Sequence, residues 1–376
     1  MTGGTGVLVM AGGTGGHIYP GLAVADSLRR SGVQVRWLGA RGGMECEKVP
    51  AFGVEMDVVD ISGLRGKGVA SWLTGPFRLT RAVWQALRAI GRNRPACAIS
   101  FGGYAAGPGG LAARLRGIPL LVHEQNRVPG MTNRTLARFA DKVLQAFPAS
   151  WPEALNAGTV GNPVRREVAE LPEPAERYTN RKGPVRILLT GGSQGALALN
   201  RLLPGALGLL ADEGVPFEIR HQAGPRWVQE TRAAYEKAGI HLGDPDQGGT
   251  AALGPRAEVT DFIEDMASAY AWADVVVCRA GALTVSEVAA AGVAALFIPF
   301  PHAVDDHQTR NAEFLVEAGA ALLLQESVTD ARMLAKVLSP LAGDRAGLAS
   351  MATRGRAVAV PDSADRVAAM CREYTQ

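Results

Sequence analysis

A strand-sized apolar run that leads directly into a glycine-rich turn occurs twice in this chain, 179 residues apart, and no other feature restricts the fold as much. The first copy is Val7-Leu8-Val9-Met10-Ala11 followed by Gly12-Gly13-Thr14-Gly15-Gly16-His17. The second is Val185-Arg186-Ile187-Leu188-Leu189-Thr190 followed by Gly191-Gly192-Ser193-Gln194-Gly195. A buried parallel strand, a tight turn and a following helix aim backbone N–H groups and a helix dipole at one point, which suits an anion. Two such units at the starts of two halves of similar length predict two nucleotide-fold domains facing each other across a cleft. Neither copy completes G-x-G-x-x-G, since Ile18 occupies the third position, and the run Val33–Leu38 ends on Gly39 rather than on an acid. A dinucleotide site is therefore the weaker reading.

Short apolar runs alternate with helical stretches throughout, the pattern of an α/β chain with parallel sheets. In the first half, strands are expected at Val7–Met10, Val33–Leu38, Ala96–Ser100, Leu120–His123 and Lys142–Gln145. Helices are expected over Gly21–Arg30, Leu79–Arg92, Gly109–Leu115 and Thr132–Phe139. Gly161-Asn162-Pro163-Val164-Arg165 and then Leu171-Pro172-Glu173-Pro174 read as the linker. Strands resume from Val185, at Phe217–Gln222, Ala257–Thr260, Val275–Cys278, Ala294–Ile298 and Ala321–Leu324. The expected domains are 1–163 and 164–360, with a last helix over Ser363–Glu373, within 363–376, placed to cross back onto the first.

The charge is unevenly shared. Residues 1–163 carry 18 Lys and Arg against 9 Asp and Glu, whereas the remainder carries 21 against 27. No acid occurs between Asp60 and Glu124, a span holding nine cations: Arg65, Lys67, Arg78, Arg81, Arg88, Arg92, Arg94, Arg114 and Arg116. Such a field attracts a polyanionic surface. Within it Trp72, Phe77 and Trp84 interleave with Arg78, Arg81 and Arg88, a composition suited to an interfacial membrane contact, with core packing as the plainer explanation. Nucleic acid ranks behind both, because no recognisable nucleic-acid module accompanies the span. Cys46, Cys97, Cys278 and Cys371 lie far apart without zinc spacing and read as free thiols in a reducing compartment. The first residues lack a signal-peptide pattern, and no apolar run approaches the length of a membrane span.

A third glycine turn, Gly102-Gly103-Tyr104-Ala105-Ala106-Gly107-Pro108, follows the run ending Ser100-Phe101. Added to it are His123-Glu124-Gln125-Asn126, the linker Gly-Asn-Pro-Val-Arg, Gly281-Ala282-Leu283-Thr284-Val285-Ser286-Glu287 and Asp305-Asp306-His307-Gln308-Thr309-Arg310-Asn311-Ala312. As a set these resemble the bacterial MurG glycosyltransferases over nearly the whole chain, with Ala280 where that family is expected to carry serine. The resemblance implies a GT-B fold: two Rossmann-like domains with parallel sheets separated by a cleft. The implied reaction is inverting transfer of N-acetylglucosamine from UDP-N-acetylglucosamine to the 4-hydroxyl of the muramyl sugar of lipid I, an undecaprenyl-diphosphate-linked muramyl-pentapeptide. Lipid II is the product. The N-terminal domain would take the acceptor and an anionic membrane, at the cytoplasmic face of the inner membrane. The C-terminal domain would take the donor.

By resemblance, donor contacts fall to Thr14, Gly15, Gly16, Asn126, Arg165, Ser193, Ile263, Gln308 and the run Ala282, Leu283, Thr284, Val285, Ser286 and Glu287. The acceptor diphosphate falls to Gly13, Gly103 and Tyr104. Chemistry supports parts of this assignment. A helix opening at Ala282 offers first-turn amides to a pyrophosphate, and Glu287, one turn further in, reaches a ribose diol. A peptide N–H and C=O at Ile263 match a uracil edge, and the guanidinium fork of Arg165 matches phosphate. His17 opens a helix whose dipole favours the neutral imidazole, so it suits the base that deprotonates the acceptor hydroxyl; binding the loop or the acceptor is its other role. Glu124 is the second candidate base. Asp244-Pro245-Asp246 resembles a D-x-D metal motif but lies in a Pro/Gly loop without further ligands, so no metal and no cofactor are expected. Two rivals stay open: an isomerase of the UDP-N-acetylglucosamine 2-epimerase type, and a nucleotide-sugar-binding module without catalysis.

Overall fold

A computed structural model describes residues 6–62, 69–179, 181–192, 194–243 and 255–375, apart from the side chains of 69–74 and 304. Ser193, the Trp72 side chain and Asp244-Pro245-Asp246 lie outside these residues. The chain divides into two units, Met1–Arg166 with Val360–Gln376, and Glu167–Ala359.

In the first unit the strands are β1 (Gly6–Ala11), β2 (Gln34–Ala40), β3 (Glu55–Val59), β4 (Cys97–Gly102), β5 (Leu120–Glu124), β6 (Lys142–Gln145) and β7 (Gly158–Thr159). They form one sheet in the order β3-β2-β1-β4-β5-β6-β7, paired in parallel throughout. The helices between them are α1 (Gly15–Arg30), α2 (Glu45–Ala51), α3 (Val69–Asn93), α4 (Ala106–Leu115) and α5 (Met131–Leu136). Along β1 the side chains alternate between two cores. Val7, Val9 and Ala11 join Ile18, Leu22 and Leu28 of α1, while Leu8 and Met10 join Ala82, Ala86 and Ala112 of α3 and α4. Burial on both faces is why this strand reads as an unbroken apolar run.

The second unit repeats the plan with α6 (Arg166–Ala169) and α7 (Pro174–Thr179) leading into β8 (Val185–Thr190), α8 (Leu197–Asp212), β9 (Phe217–Gln222), α9 (Val228–Lys237), β10 (His241–Leu242) and β11 (Arg256–Thr260). It continues through α10 (Met266–Trp272), β12 (Val275–Cys278), α11 (Ala282–Ala291), β13 (Ala294–Phe297), α12 (His307–Glu317), β14 (Ala321–Leu323), α13 (Ala331–Gly343) and α14 (Arg345–Val358). The sheet order is β10-β11-β9-β8-β12-β13-β14, again all parallel. The last helix, α15 (Ser363–Arg372), packs on α1, where Ser27 Oγ donates to Asp365 at 2.5 Å and Val367 and Cys371 enter the first unit's core.

Both sheets reverse their strand order beside the first strand, between β1 and β4 and between β8 and β12. In open α/β sheets ligands bind outside the carboxyl ends of the strands at such a reversal. All the glycine turns singled out above lie there.

Several boundaries differ from the sequence reading. β3 was not expected; it is an edge strand whose Glu55 and Asp57 interrupt the apolar pattern. Helix α1 begins six residues before Gly21 and carries Pro20 inside it, so the proline is no boundary. The uncompensated basic span is also corrected. Asp57 pairs with Arg92 at 2.7 Å, and Asp60 pairs with Arg81 at 2.8 Å and with Arg41 at 2.5 Å, so acids distant in sequence neutralise part of the field.

Candidate active site

In the first unit, the turns after β1 and β4 touch backbone to backbone. A Cβ on Gly103 (φ +91°) would lie 2.3 Å from the Gly12 carbonyl oxygen, so only glycine allows the contact. His17 stands in the first turn of α1. Its Nδ1 lies 3.1 Å from the Gly12 carbonyl oxygen and 3.4 Å from Thr14 Oγ1. A carbonyl oxygen only accepts, so Nδ1 carries a proton, and in the neutral ring Nε2 is then the nitrogen with the lone pair. Nε2 faces the backbone of Gly102, where an added Cβ would approach within 3.4 Å. Tyr104 is half exposed beside Gly13.

Two residues on this side already have their polar groups engaged within the fold. The Gly13 N–H donates to Glu45 Oε2 at 3.1 Å, so Gly13 cannot give that hydrogen to an acceptor diphosphate while the bond stands. The first amides of α1, at Gly15 and Gly16, are those a helix start leaves for an anion. Glu124 is 1% exposed, and its carboxylate accepts four hydrogen bonds: from Asn126 N (2.9 Å) and Nδ2 (3.1 Å) on Oε1, and from Gly130 N (3.1 Å) and Asn133 Nδ2 (2.9 Å) on Oε2. A carboxylate so surrounded has no lone pair to spare. Its effect is to fix Asn126, whose amide nitrogen is held toward Glu124 and whose Oδ1 points away. His123 is fully buried; its Nε2 donates to the Gly161 carbonyl at 2.9 Å, and burial lowers its pKa to about 4, so it stays neutral. Arg165 lies over the Tyr19 ring, 5.8 Å from its centroid.

In the second unit, the turns after β8 and β12 flank the sheet reversal. Gly195 (φ +74°) meets the Ala223 carbonyl so closely that a Cβ would fall 1.9 Å from its oxygen. Gln222 Nε2 donates to the Gly192 carbonyl at 2.8 Å, and Gln222 Oε1 accepts from the Ile263 N–H at 3.0 Å. A uracil edge meeting both peptide groups of Ile263 therefore has to displace Gln222. Phe262 and Ile263 line a cavity of about 240 Å³ with Thr260, Ser268 and Ala269.

Helix α11 begins at Ala282 behind Gly281. The first-turn amides of Ala282, Leu283 and Thr284 are unused by the helix, but the Val285 N–H donates to the Gly281 carbonyl (3.0 Å) and Ser286 Oγ to the Ala282 carbonyl (2.9 Å). Val285 and Ser286 thus have these groups engaged inside the helix. Glu287 is 3% exposed and accepts from the Tyr270 hydroxyl at 3.3 Å, so it is not a solvated surface acid. Gln308 Oε1 accepts from Ala280 N (3.2 Å) and Phe300 N (3.0 Å), which directs its NH2 group the other way. Arg279, unremarked in the sequence, braces the same corner. It donates to the carbonyls of Ile298 and Pro299 and pairs with Glu326 at 2.5 Å. Among the described residues, no group of three or more His, Cys, Asp and Glu could hold a metal ion.

On α3, Phe77 is 74% and Trp84 54% exposed, with the Arg88 guanidinium 4.3 Å from the Trp84 ring centroid. Arg78 and Arg81 are exposed beside them. Among the described residues no helix is long and apolar enough to cross a membrane.

Residues 7–145 match the glycosyltransferase family 28 N-terminal domain and residues 186–367 the glycosyltransferase family 28 C-terminal domain. With two parallel α/β units, this defines a GT-B glycosyltransferase. The chain is 53% identical over 362 residues (96% of its length, 80% of the relative's) to a UDP-N-acetylglucosamine--N-acetylmuramyl-(pentapeptide) pyrophosphoryl-undecaprenol N-acetylglucosamine transferase of Xanthomonas campestris pv. campestris (strain 8004). It is 50% identical over 367 residues (98% and 95%) to the protein of the same name in Xylella fastidiosa (strain M12). The crystal structure of Acinetobacter baumannii MurG is similar at TM-score 0.82 and 41% identity, covering 98% of this chain and 99% of that one. The chain belongs to the MurG family.

Proposed function

We propose that the protein transfers N-acetylglucosamine from UDP-N-acetylglucosamine to the muramyl 4-hydroxyl of lipid I, releasing UDP and forming lipid II. The membership just stated carries this reading, and the two turn clusters at the sheet reversals supply its chemistry. In the second unit, the open amides of Ala282, Leu283 and Thr284 stabilise the diphosphate, first as donor and then as leaving group. Ser193 and Arg165 join them as proposed phosphate contacts. Glu287 holds the ribose hydroxyls, and Gln308 and Asn126 hold the sugar. In the first unit, Gly103 and Tyr104 receive the acceptor diphosphate, Thr14, Gly15 and Gly16 contact the donor, and His17 Nε2 takes the proton of the attacking hydroxyl. No metal is needed, because amide dipoles and a guanidinium provide the positive field. The test is incubation with labelled UDP-N-acetylglucosamine and a lipid I analogue. Release of UDP with a β-1,4-linked product supports the reading, and isomerised sugar nucleotide without transfer refutes it.

Glu287→Ala is expected to weaken UDP binding by about 1.5–3 kcal/mol, the worth of a charged hydrogen bond, and to leave acceptor binding unchanged. Calorimetry with UDP on the folded variant checks this, and equal affinity removes Glu287 from the ribose.

We also propose that the enzyme sits peripherally on the cytoplasmic face of the inner membrane through α3. Phe77 and Trp84 enter the interface, while Arg78 and Arg88 meet anionic headgroups at roughly 1 kcal/mol each. Arg81, already paired with Asp60, contributes less. Sedimentation with anionic vesicles is expected to show Arg78→Gln and Arg88→Gln each weakening binding about fivefold, and Arg81→Gln much less, with high salt erasing the difference.

A further inference from the structure

We propose that Glu45 is a positioning residue for His17, acting through the peptide group that joins Gly12 to Gly13. Glu45 Oε2 accepts from the Gly13 N–H at 3.1 Å, and the carbonyl of that same peptide, Gly12 O, lies 3.1 Å from His17 Nδ1. An amide whose N–H is bonded to an anion gathers negative charge on its oxygen, so each of the two bonds strengthens the other. Serine hydrolases place an aspartate directly on a histidine Nδ1–H to fix its tautomer and orientation. Here a carboxylate does so across one peptide unit, and Nε2 is left as the proton acceptor.

The seat of Glu45 is built for a carboxylate. Its other oxygen accepts from the Ala40 N–H at 2.9 Å, the side chain is fully buried, and among the described residues it makes no ion pair. Glycines on three segments make room for it. A Cβ would lie 2.1 Å from Oε1 on Gly12, 2.4 Å from Oε2 on Gly43 and 2.6 Å from Cγ on Gly39. Packing alone would accept an apolar side chain in this space. Two backbone donors directed at two separate oxygens call for an acceptor on both, which glutamine cannot supply.

The proposal rests on His17 being the base, and its test separates the two claims. The full-length protein is labelled with ¹⁵N-histidine, and the ring nitrogens of His17 are assigned by their loss in His17→Gln. The native enzyme is expected to show Nδ1 protonated and Nε2 bare. In Glu45→Gln the Nε2–H tautomer becomes populated, and kcat at saturating substrates falls by about 10- to 100-fold, as for other residues that orient a functional histidine, while the donor KM is unchanged. A folded Glu45→Gln with the native tautomer and native kcat overturns the proposal. Should that variant not fold, the native protein decides: an Nδ1–H tautomer with a Gly13 amide protected from exchange supports the relay, and an Nε2–H tautomer or a freely exchanging Gly13 amide refutes it. If His17→Gln keeps its kcat, the base assignment fails while the tautomer result still stands on its own.

Discussion

His17→Ala is expected to lower sugar transfer by about 100- to 10,000-fold at saturating substrates, the usual contribution of a positioned general base, and to leave UDP-N-acetylglucosamine affinity nearly unchanged. The expectation follows from proton placement. Nδ1 is held by the Gly12 carbonyl, so the imidazole offers only Nε2, on the side of the glycine turn after β4. Attack of a sugar hydroxyl on the anomeric carbon needs that proton removed as the bond forms. The donor's nucleotide is assigned to the other unit, so its affinity should not sense the loss. Initial rates with a soluble lipid I analogue, together with calorimetry for UDP, separate the outcomes. A rate constant that survives at saturating acceptor, with only the acceptor's KM raised, makes His17 a binding residue. Glu124 is a poor replacement, because a proton on it would have to displace one of four hydrogen bonds.

The architecture was legible for a physical reason. Strands of a parallel sheet covered on both faces are buried residue by residue, so β1, β4, β8 and β12 appear as apolar runs that end where the glycines begin. The glycine turns were legible because a positive φ or a backbone contact admits nothing larger, as at Gly13, Gly102 and Gly103. Strand β3 escaped because an edge strand has a solvated side, which Glu55 occupies. Residues acting across long sequence separations were hidden as well. Glu45 sits in the charged stretch Glu45-Cys46-Glu47-Lys48, looks like a surface acid, and reaches a peptide 32 positions away. The partners of Ile263 and Arg81 were invisible for the same reason. Periodicity tells which face a residue occupies, not which side chain arrives there from another element. The ion pairs of Asp57 and Asp60 show this most plainly, since the gap in acids between Asp60 and Glu124 is real along the chain and partly closed in space.

Gly103→Ala is expected to abolish most transfer while leaving UDP binding intact. Two penalties coincide at this position. A non-glycine residue in an unfavourable backbone region costs about 1–3 kcal/mol, and forcing a methyl group into filled space costs a further 1–3 kcal/mol or so. The methyl would be 2.3 Å from the Gly12 oxygen and 2.8 Å from its carbon, both backbone atoms that no rotamer change can move. The turn after β4 must therefore lift off the turn after β1, and the Gly12 carbonyl that orients His17 moves with it. Gly117→Ala is the matched control. Its φ is +67° and nothing lies within 4 Å of the added carbon, so it carries the backbone cost alone, about 1–2 kcal/mol. Calorimetric melting should rank the two variants in that order, and rate measurements should show Gly117→Ala nearly native and Gly103→Ala nearly inactive. Equal activity in both would mean that the contact between the two turns is dispensable. The orientation of His17 would then have to come from α1 alone.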